Sequence, residues 1–316
     1  MPDVVVLRGG VHGLSADDYA DAIRERLPDH EVVQARTPAE ERDLVAHTPI
    51  ATGLHLSEDV VSEAEDLRLF ACLYAGYDHL PLDAFRERGV AVTTASGVHG
   101  PNMAEHVVGA IVAFSRGFPR AWRQQERREW RQIQVTELAG STVTIVGLGA
   151  IGNAVVEALS GFDVHTVGIR RSPERGGPTD EVLGTDALHD ALARTDYLVL
   201  ACPLTEETEG LIGSAEFETL PPRAVLINVA RGPVVETDAL VAAIRSTSIR
   251  GAQLDVTDPE PLPEDHPLWG LENVFVTPHS AGYSPKYYER RADILAENVR
   301  QAEESGGYED LTNQVD

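Results

Sequence analysis

Residues 141–172, STVTIVGLGAIGNAVVEALSGFDVHTVGIRRS, constrain this chain more than any other stretch, because they prescribe strand, glycine turn, helix and second strand without interruption. The β-branched run at 143–146 suits a buried parallel strand and leads directly into Gly147-Leu148-Gly149-Ala150-Ile151-Gly152. In that context each glycine of GxGxxG has a separate task. Gly147 permits the tight turn, Gly149 lets a pyrophosphate approach the backbone, and Gly152 lets the following helix pack closely on the strand. The free amides that open the helix at 151–160, including those of Ala150 and Ile151, would face the phosphates with the helix dipole behind them. A strand, this turn and a helix in succession predict a dinucleotide site.

The end of the second strand, 164–169, bears on which dinucleotide binds. In units that take NAD, an Asp or Glu about 20 residues past the motif accepts hydrogen bonds from the adenosine ribose. Here that place holds Arg170-Arg171-Ser172. Two guanidiniums and a hydroxyl suit a 2′-phosphate, so NADP(H) is the expected cofactor, with NAD(H) possible. Two solvated surface arginines are the plainer alternative.

Composition bounds the rest. A chain of 316 residues with 42% hydrophobic residues has room for two domains. It has no run of 18 apolar residues, and MPDVVVLRGG lacks the features of a signal peptide, so a cytoplasmic location is expected. Cys72 and Cys202 lie in apolar segments without metal-ligand spacing, which predicts two buried thiols and no metal. The formal net charge of −25 disfavours nucleic acid and anionic membranes as partners. Lys286 is the one lysine, and a large acidic excess with scarce lysine resembles proteins of extreme halophiles; an acidic protein of ordinary habitat is the alternative.

Strands near 4–7, 31–35, 50–52, 67–74 and 90–93 alternate with helices capped by Ser15 and Ser57 and with one at 82–88, which predicts a first α/β domain of parallel strands. One long helix is expected over 102–130. Its second half places Arg116, Arg120, Arg123, Arg127, Arg128 and Arg131 around Trp122 and Trp130, a composition that suits a subunit interface, so a homodimer through about 102–131 is expected. After the dinucleotide unit, strands at 196–201, 224–229, 251–256 and 273–277 alternate with helices, and a last helix spans 287–304. In open α/β sheets the carboxyl ends of strands carry ligands, and Arg231, Asp255 and His279 all lie there. Arg231 is permanently charged and suits a carboxylate, His279 can exchange a proton near neutrality, and Glu260, fixed between two prolines, could hold the imidazole. Taken singly, each has an ordinary alternative as a surface or loop residue.

Together these segments resemble a known family. INVARG at 227–232, LDVTDPEPLP at 254–263, VTPHSAG at 276–282, CPLTEET at 202–208 and GLGAIG at mid-chain are similar to the D-isomer-specific 2-hydroxyacid dehydrogenases over nearly the whole length. The mid-chain position of GLGAIG argues against the L-specific lactate and malate enzymes. The resemblance implies two doubly wound parallel-sheet α/β domains, a Rossmann-type nucleotide domain (99–286) inserted into a flavodoxin-like substrate domain (1–98 and 287–316). It further implies that Arg231 binds the carboxylate of a 2-oxo acid, that His279 protonates the oxygen as hydride reaches C2, and that Glu260 orients His279. Tyr74, Ala75 and Gly76 match the loop whose amides take the other end of the carboxylate. Asp255 would contact the nicotinamide carboxamide, and Pro203, Thr208 and Met103 would line the cofactor. The two departures are Arg170 in place of the ribose-binding acid and a substrate loop that carries Tyr74 and Tyr77. A dinucleotide-sensing corepressor on the same fold is the alternative, and the intact Arg, Glu and His trio favours the enzyme.

Overall fold

The structure is a computed structural model that describes residues 2–11 and 13–315. The chain divides into two compact units, residues 1–99 with 283–316, and residues 100–282. The first unit alternates β1 (Val4–Val6), α1 (Ala16–Arg26), β2 (Val32–Gln34), α2 (Pro38–Ala46), β3 (Ile50–Gly53), α3 (Glu58–Glu63), β4 (Leu69–Cys72), α4 (Leu82–Glu87) and β5 (Ala91–Thr93). Its strands run β2-β1-β3-β4-β5, all parallel, which is the flavodoxin-like order. Ser15 starts α1 by accepting from Asp17 N, while the Asp18 carboxylate reaches back to the Ser15 amide. The helix then turns Tyr19, Ala20 and Ile23 inward, a helical spacing that marks one buried face.

The second unit contains α5 (Gly100–Ser115), α6 (Phe118–Glu126), β6 (Thr142–Val146), α7 (Ala150–Leu159), β7 (His165–Ile169), β8 (Glu181–Leu183), α8 (Leu188–Leu192), β9 (Tyr197–Leu200), α9 (Ser214–Thr219), β10 (Val225–Asn228), α10 (Thr237–Arg245), β11 (Gly251–Leu254) and β12 (Val274–Val276). Its seven parallel strands run β8-β7-β6-β9-β10-β11-β12, the Rossmann order with one strand added. Both faces are covered. Val143 and Ile145 pack with Met103, Val107 and Val155 on one side, and Val146 with Leu198 and Leu200 on the other, which is why the strands read as unbroken apolar runs. Each such fully buried aliphatic side chain contributes about 1.5–3 kcal/mol of burial.

The chain then returns to the first unit through α11 (Tyr287–Ser305) and β13 (Gln314–Val315), which pairs antiparallel with β5. Helix α11 packs on α1, and the rings of Tyr19 and Tyr288 stack with centroids 4.9 Å apart. Both cysteines are buried, and burial pushes both thiols up.

The single helix expected over 102–130 is two. Gly117 adopts left-handed backbone (φ 69°), where an L side chain is strained and where a Cβ would also meet Ile133, and Pro119 then opens a new helix in its first turn. Helix α6 ends at Glu126, and 127–141 cross without helix or strand. Three short elements gave no signal in the sequence: α2, which buries only Val45, β8 with three residues, and β13 with two. Among the described residues no helix is long and apolar enough to cross a membrane, and no His, Cys, Asp and Glu group is arranged to hold a metal.

Candidate active site

The glycine turn leaves β6 at the point where the strand order reverses, between β6 and β9. Gly147 has φ 100°, and a Cβ there would lie 2.7 Å from the Cys202 backbone; a Cβ on Gly152 would lie 2.0 Å from the Gly147 carbonyl oxygen. A side chain at either position would break the turn. Gly149 differs: a Cβ there would meet nothing within 4 Å. It is exposed, as is Ala150, and it begins α7 without a side-chain cap, so the first amides of that helix stand open to an anion. These residues fit a pyrophosphate held by backbone N–H groups.

The loop after β7 folds back on this turn. A Cβ on Gly168 or on Gly177 would each lie 2.5 Å from Leu148 Cδ1, so the motif's leucine is packed between the end of β7 and the loop at 170–177. Arg170 is half-buried and donates through one terminal nitrogen to the Gly176 carbonyl at 2.5 Å, which ties its guanidinium to that loop. Arg171 is exposed, Ser172 half-buried, and neither arginine pairs with a described carboxylate. The same loop carries Arg175, a third guanidinium that the sequence reading did not single out.

Three adjacent strand ends assemble the remaining groups. At the end of β10, Asn228 is buried and bonds both ways across its turn, accepting from Ala230 N and donating to the Arg231 carbonyl at 3.1 Å. Arg231 is thereby exposed beyond the strand, one terminal nitrogen donating to the Ala230 carbonyl at 2.7 Å. Gly232 lets this turn press on the next one, since a Cβ would lie 2.0 Å from the Thr257 carbonyl oxygen. Past β11, Glu260 meets His279, which follows β12: Glu260 Oε1 and His279 Nδ1 are 2.6 Å apart, with both side chains about half exposed. A carboxylate can only accept, so Nδ1 carries the proton in the neutral ring and Nε2 is left for a ligand. His279 itself adopts left-handed backbone, φ 49°, which for a residue with a Cβ must be held by its surroundings.

Asp255 does the holding. Its carboxylate is buried and accepts from Thr277 Oγ1 at 2.6 Å, Ser280 N at 2.9 Å and Ala281 N at 3.0 Å, while its own carbonyl accepts from His279 N. The amides of 279–281 thus all converge on one residue. Of the other expected site residues, Pro203 is exposed after β9, and Thr208 spends its hydroxyl within that loop, donating to the Pro203 carbonyl at 2.7 Å. Met103 is buried in the apolar cluster with Leu148 and Val155. Tyr74, Ala75 and Gly76 lie in the first unit, after β4, with Tyr74 41% exposed and open space around Gly76. Asn228, Gly232 and Thr277 are roles that sequence reasoning missed, although all three fall inside the quoted segments.

The chain is similar to known proteins over most of its length. Residues 108–281 match the family model described as D-isomer specific 2-hydroxyacid dehydrogenase, NAD binding domain. A glyoxylate reductase of Thermofilum pendens is 36% identical over 254 residues, covering 77% of this chain and 74% of that one. The glyoxylate reductase/hydroxypyruvate reductase of Homo sapiens is 35% identical over 255 residues, covering 78% and 77%. The crystal structure of a D-isomer specific 2-hydroxyacid dehydrogenase from Xanthobacter autotrophicus Py2, in complex with NADPH and MES, superposes with a TM-score of 0.79 at 30% identity and covers 100% of this chain and 98% of its own. With the Rossmann strand order, the open helix terminus and the His279–Glu260 pair already in place, these matches show that the chain belongs to the D-isomer specific 2-hydroxyacid dehydrogenases, oxidoreductases that act on hydroxyacids with a nicotinamide cofactor.

Proposed function

We propose that this protein reduces a small 2-oxo acid to the D-2-hydroxy acid with NADPH, and runs the reverse oxidation with NADP. The observation that carries the reading is the His279–Glu260 pair at 2.6 Å beside Arg231, on neighbouring strand ends. When bound, the reduced nicotinamide supplies a hydride. Arg231 binds the substrate carboxylate and polarises the ketone. His279 passes its Nε2 proton to the oxygen as C2 gains the hydride, and Glu260 stabilises the imidazolium before that transfer. Asp255, with a lone pair remaining on Oδ2, accepts from the carboxamide of the cofactor.

NADPH preference rests on the loop at 170–175. It carries Arg170, Arg171 and Arg175 against one acid, Glu174, with none directly at the end of β7, and it is packed against Leu148 of the glycine turn. Charge-assisted bonds to a 2′-phosphate contribute about 1.5–3 kcal/mol, so a preference of about 10-fold or more is expected. The relatives and neighbours support a glyoxylate- or hydroxypyruvate-sized substrate, since such names recur among them. In the same reading two copies associate through about 102–131, where Phe118, Trp122 and Trp130 are exposed.

A spectrophotometric screen of glyoxylate, hydroxypyruvate and larger 2-oxo acids with NADPH and NADH tests the proposal. Turnover with kcat/KM higher for NADPH is expected, and Arg170→Asp should invert the ratio. Equal or better use of NADH across salt concentrations would make the arginines surface charges.

A further inference from the structure

Asp255 fixes the direction of a chain of hydrogen bonds that leads away from His279. Because its ionised carboxylate accepts and cannot donate, the Thr277 hydroxyl must point its one hydrogen at Asp255 Oδ1, 2.6 Å away. Thr277 Oγ1 is then an acceptor for its next neighbour, the Gln253 side-chain amide at 3.1 Å. That same NH2 group lies 2.9 Å from His106 Nε2, on α5. A donor on that side requires a bare lone pair on Nε2, so His106 is neutral with its proton on Nδ1. Burial also lowers the His106 pKa, against weaker opposing pulls from the Asp255 charge and the Gln253 side chain. Turning the Gln253 amide over would set its oxygen against a Thr277 oxygen whose hydrogen is committed elsewhere.

The arrangement is costly, which argues that it does more than fill space. Gln253 is fully buried in the middle of β11, and its Oε1 has no hydrogen-bond partner among the described residues. An apolar side chain would avoid that cost.

We infer that His106 and Gln253 are positioning residues for the reaction: through Thr277 they lock the Asp255 carboxylate, and through Asp255 they lock the left-handed turn that aims His279 at Glu260. The inference rests on the reading that His279 is the proton donor. Remove the acceptor at His106 and the Gln253 amide is free to rotate. The Thr277 hydroxyl then has the Gln253 oxygen as a second target, and Asp255 loses its shortest bond. The amides of Ser280 and Ala281 depend on the same carboxylate, so His279 loses its fixed approach to the substrate without losing any contact of its own.

Imidazole nitrogen NMR on the wild-type protein tests the proton order directly. The expected result is a protonated Nδ1 and bare Nε2 at His106, together with a displaced His279 signal in His106→Leu and in Gln253→Met. In turnover with the preferred 2-oxo acid at saturating cofactor, both variants should lower kcat by about 10-fold or more, the effect of one lost hydrogen bond at the barrier. His106→Gln, which keeps an acceptor without an imidazole, should restore most of kcat and the His279 signal. A protonated Nε2 on His106 would overturn the relay, as would an unmoved His279 signal in Gln253→Met. The spectra need no turnover, so an enzyme inactive on every 2-oxo acid would refute the functional reading while the relay is still decided.

Discussion

An imidazole gripped at one nitrogen is useful only through the other, and the 2.6 Å contact from Glu260 to Nδ1 commits His279 to exchange protons at Nε2. Replacing His279 with alanine should therefore lower kcat by about 10²–10⁴-fold, the usual contribution of a positioned proton donor, while NADPH titration by fluorescence still shows binding. Glu260→Gln keeps the shape and removes the charge facing the imidazolium, so a smaller fall in kcat with little change in KM is expected from steady-state assays; wild-type kcat in that variant would mean the pair is not used. The meeting of Glu260 with His279 was legible through the resemblance of their segments to a known family, since each residue alone has an ordinary alternative. Asp255 was legible as a residue but not in its role. Its three donors come from a turn that folds back only because His279 is left-handed, and no spacing rule announces such a turn. Asn228 is similar: its bonds join residues two and three places ahead, and the sequence offers only an ordinary polar residue at the end of an apolar strand.

Among the elements, α11 does more than its amphipathic pattern suggests. One turn of it sets Tyr287 and Arg291 on two consecutive carbonyls at the end of β4: the Tyr287 hydroxyl donates to Leu73 and Arg291 Nε donates to Cys72 at 3.0 Å. Both side chains are fully buried, so the strand end just ahead of Tyr74 is fastened from behind. Tyr287→Phe leaves the Leu73 carbonyl without its donor and should cost about 1–3 kcal/mol, read as a lower urea midpoint at unchanged slope. An unchanged midpoint would show the carbonyl finding another partner. The helix was legible as a long last element, the clamp was not, because it depends on how far two side chains reach across to another element. The break between α5 and α6 was half legible. Gly117 and Pro119 marked a change of character, but Gly117 could be placed in left-handed backbone only by its packing against Ile133.

For the molecule as a whole, the formal charge of −25 is the dominant long-range fact. Self-repulsion of that size opposes the compact state until salt shortens its range from about 10 Å at 0.1 M to about 3 Å at 1 M. Melting temperature should therefore rise between those two potassium chloride concentrations; a flat or falling curve would show that local ion pairs such as Arg36–Asp17 and Arg42–Glu63 already offset the excess. Both sheet orders were within reach of the sequence, since alternating strands and helices around a mid-chain glycine motif leave few topologies. Two edge strands, β8 and β13, were out of reach because neither lies in an apolar run of the kind that marks the other strands. The return of the chain to its first unit also sets an order of events during synthesis. The ribosome releases α1 about 260 residues before α11, yet the face of α1 that carries Tyr19 and Ile23 is covered by α11. The nucleotide-binding unit is uninterrupted and can close on itself meanwhile. On a translating ribosome the earlier segment must therefore wait with this apolar helix face bare until α11 emerges.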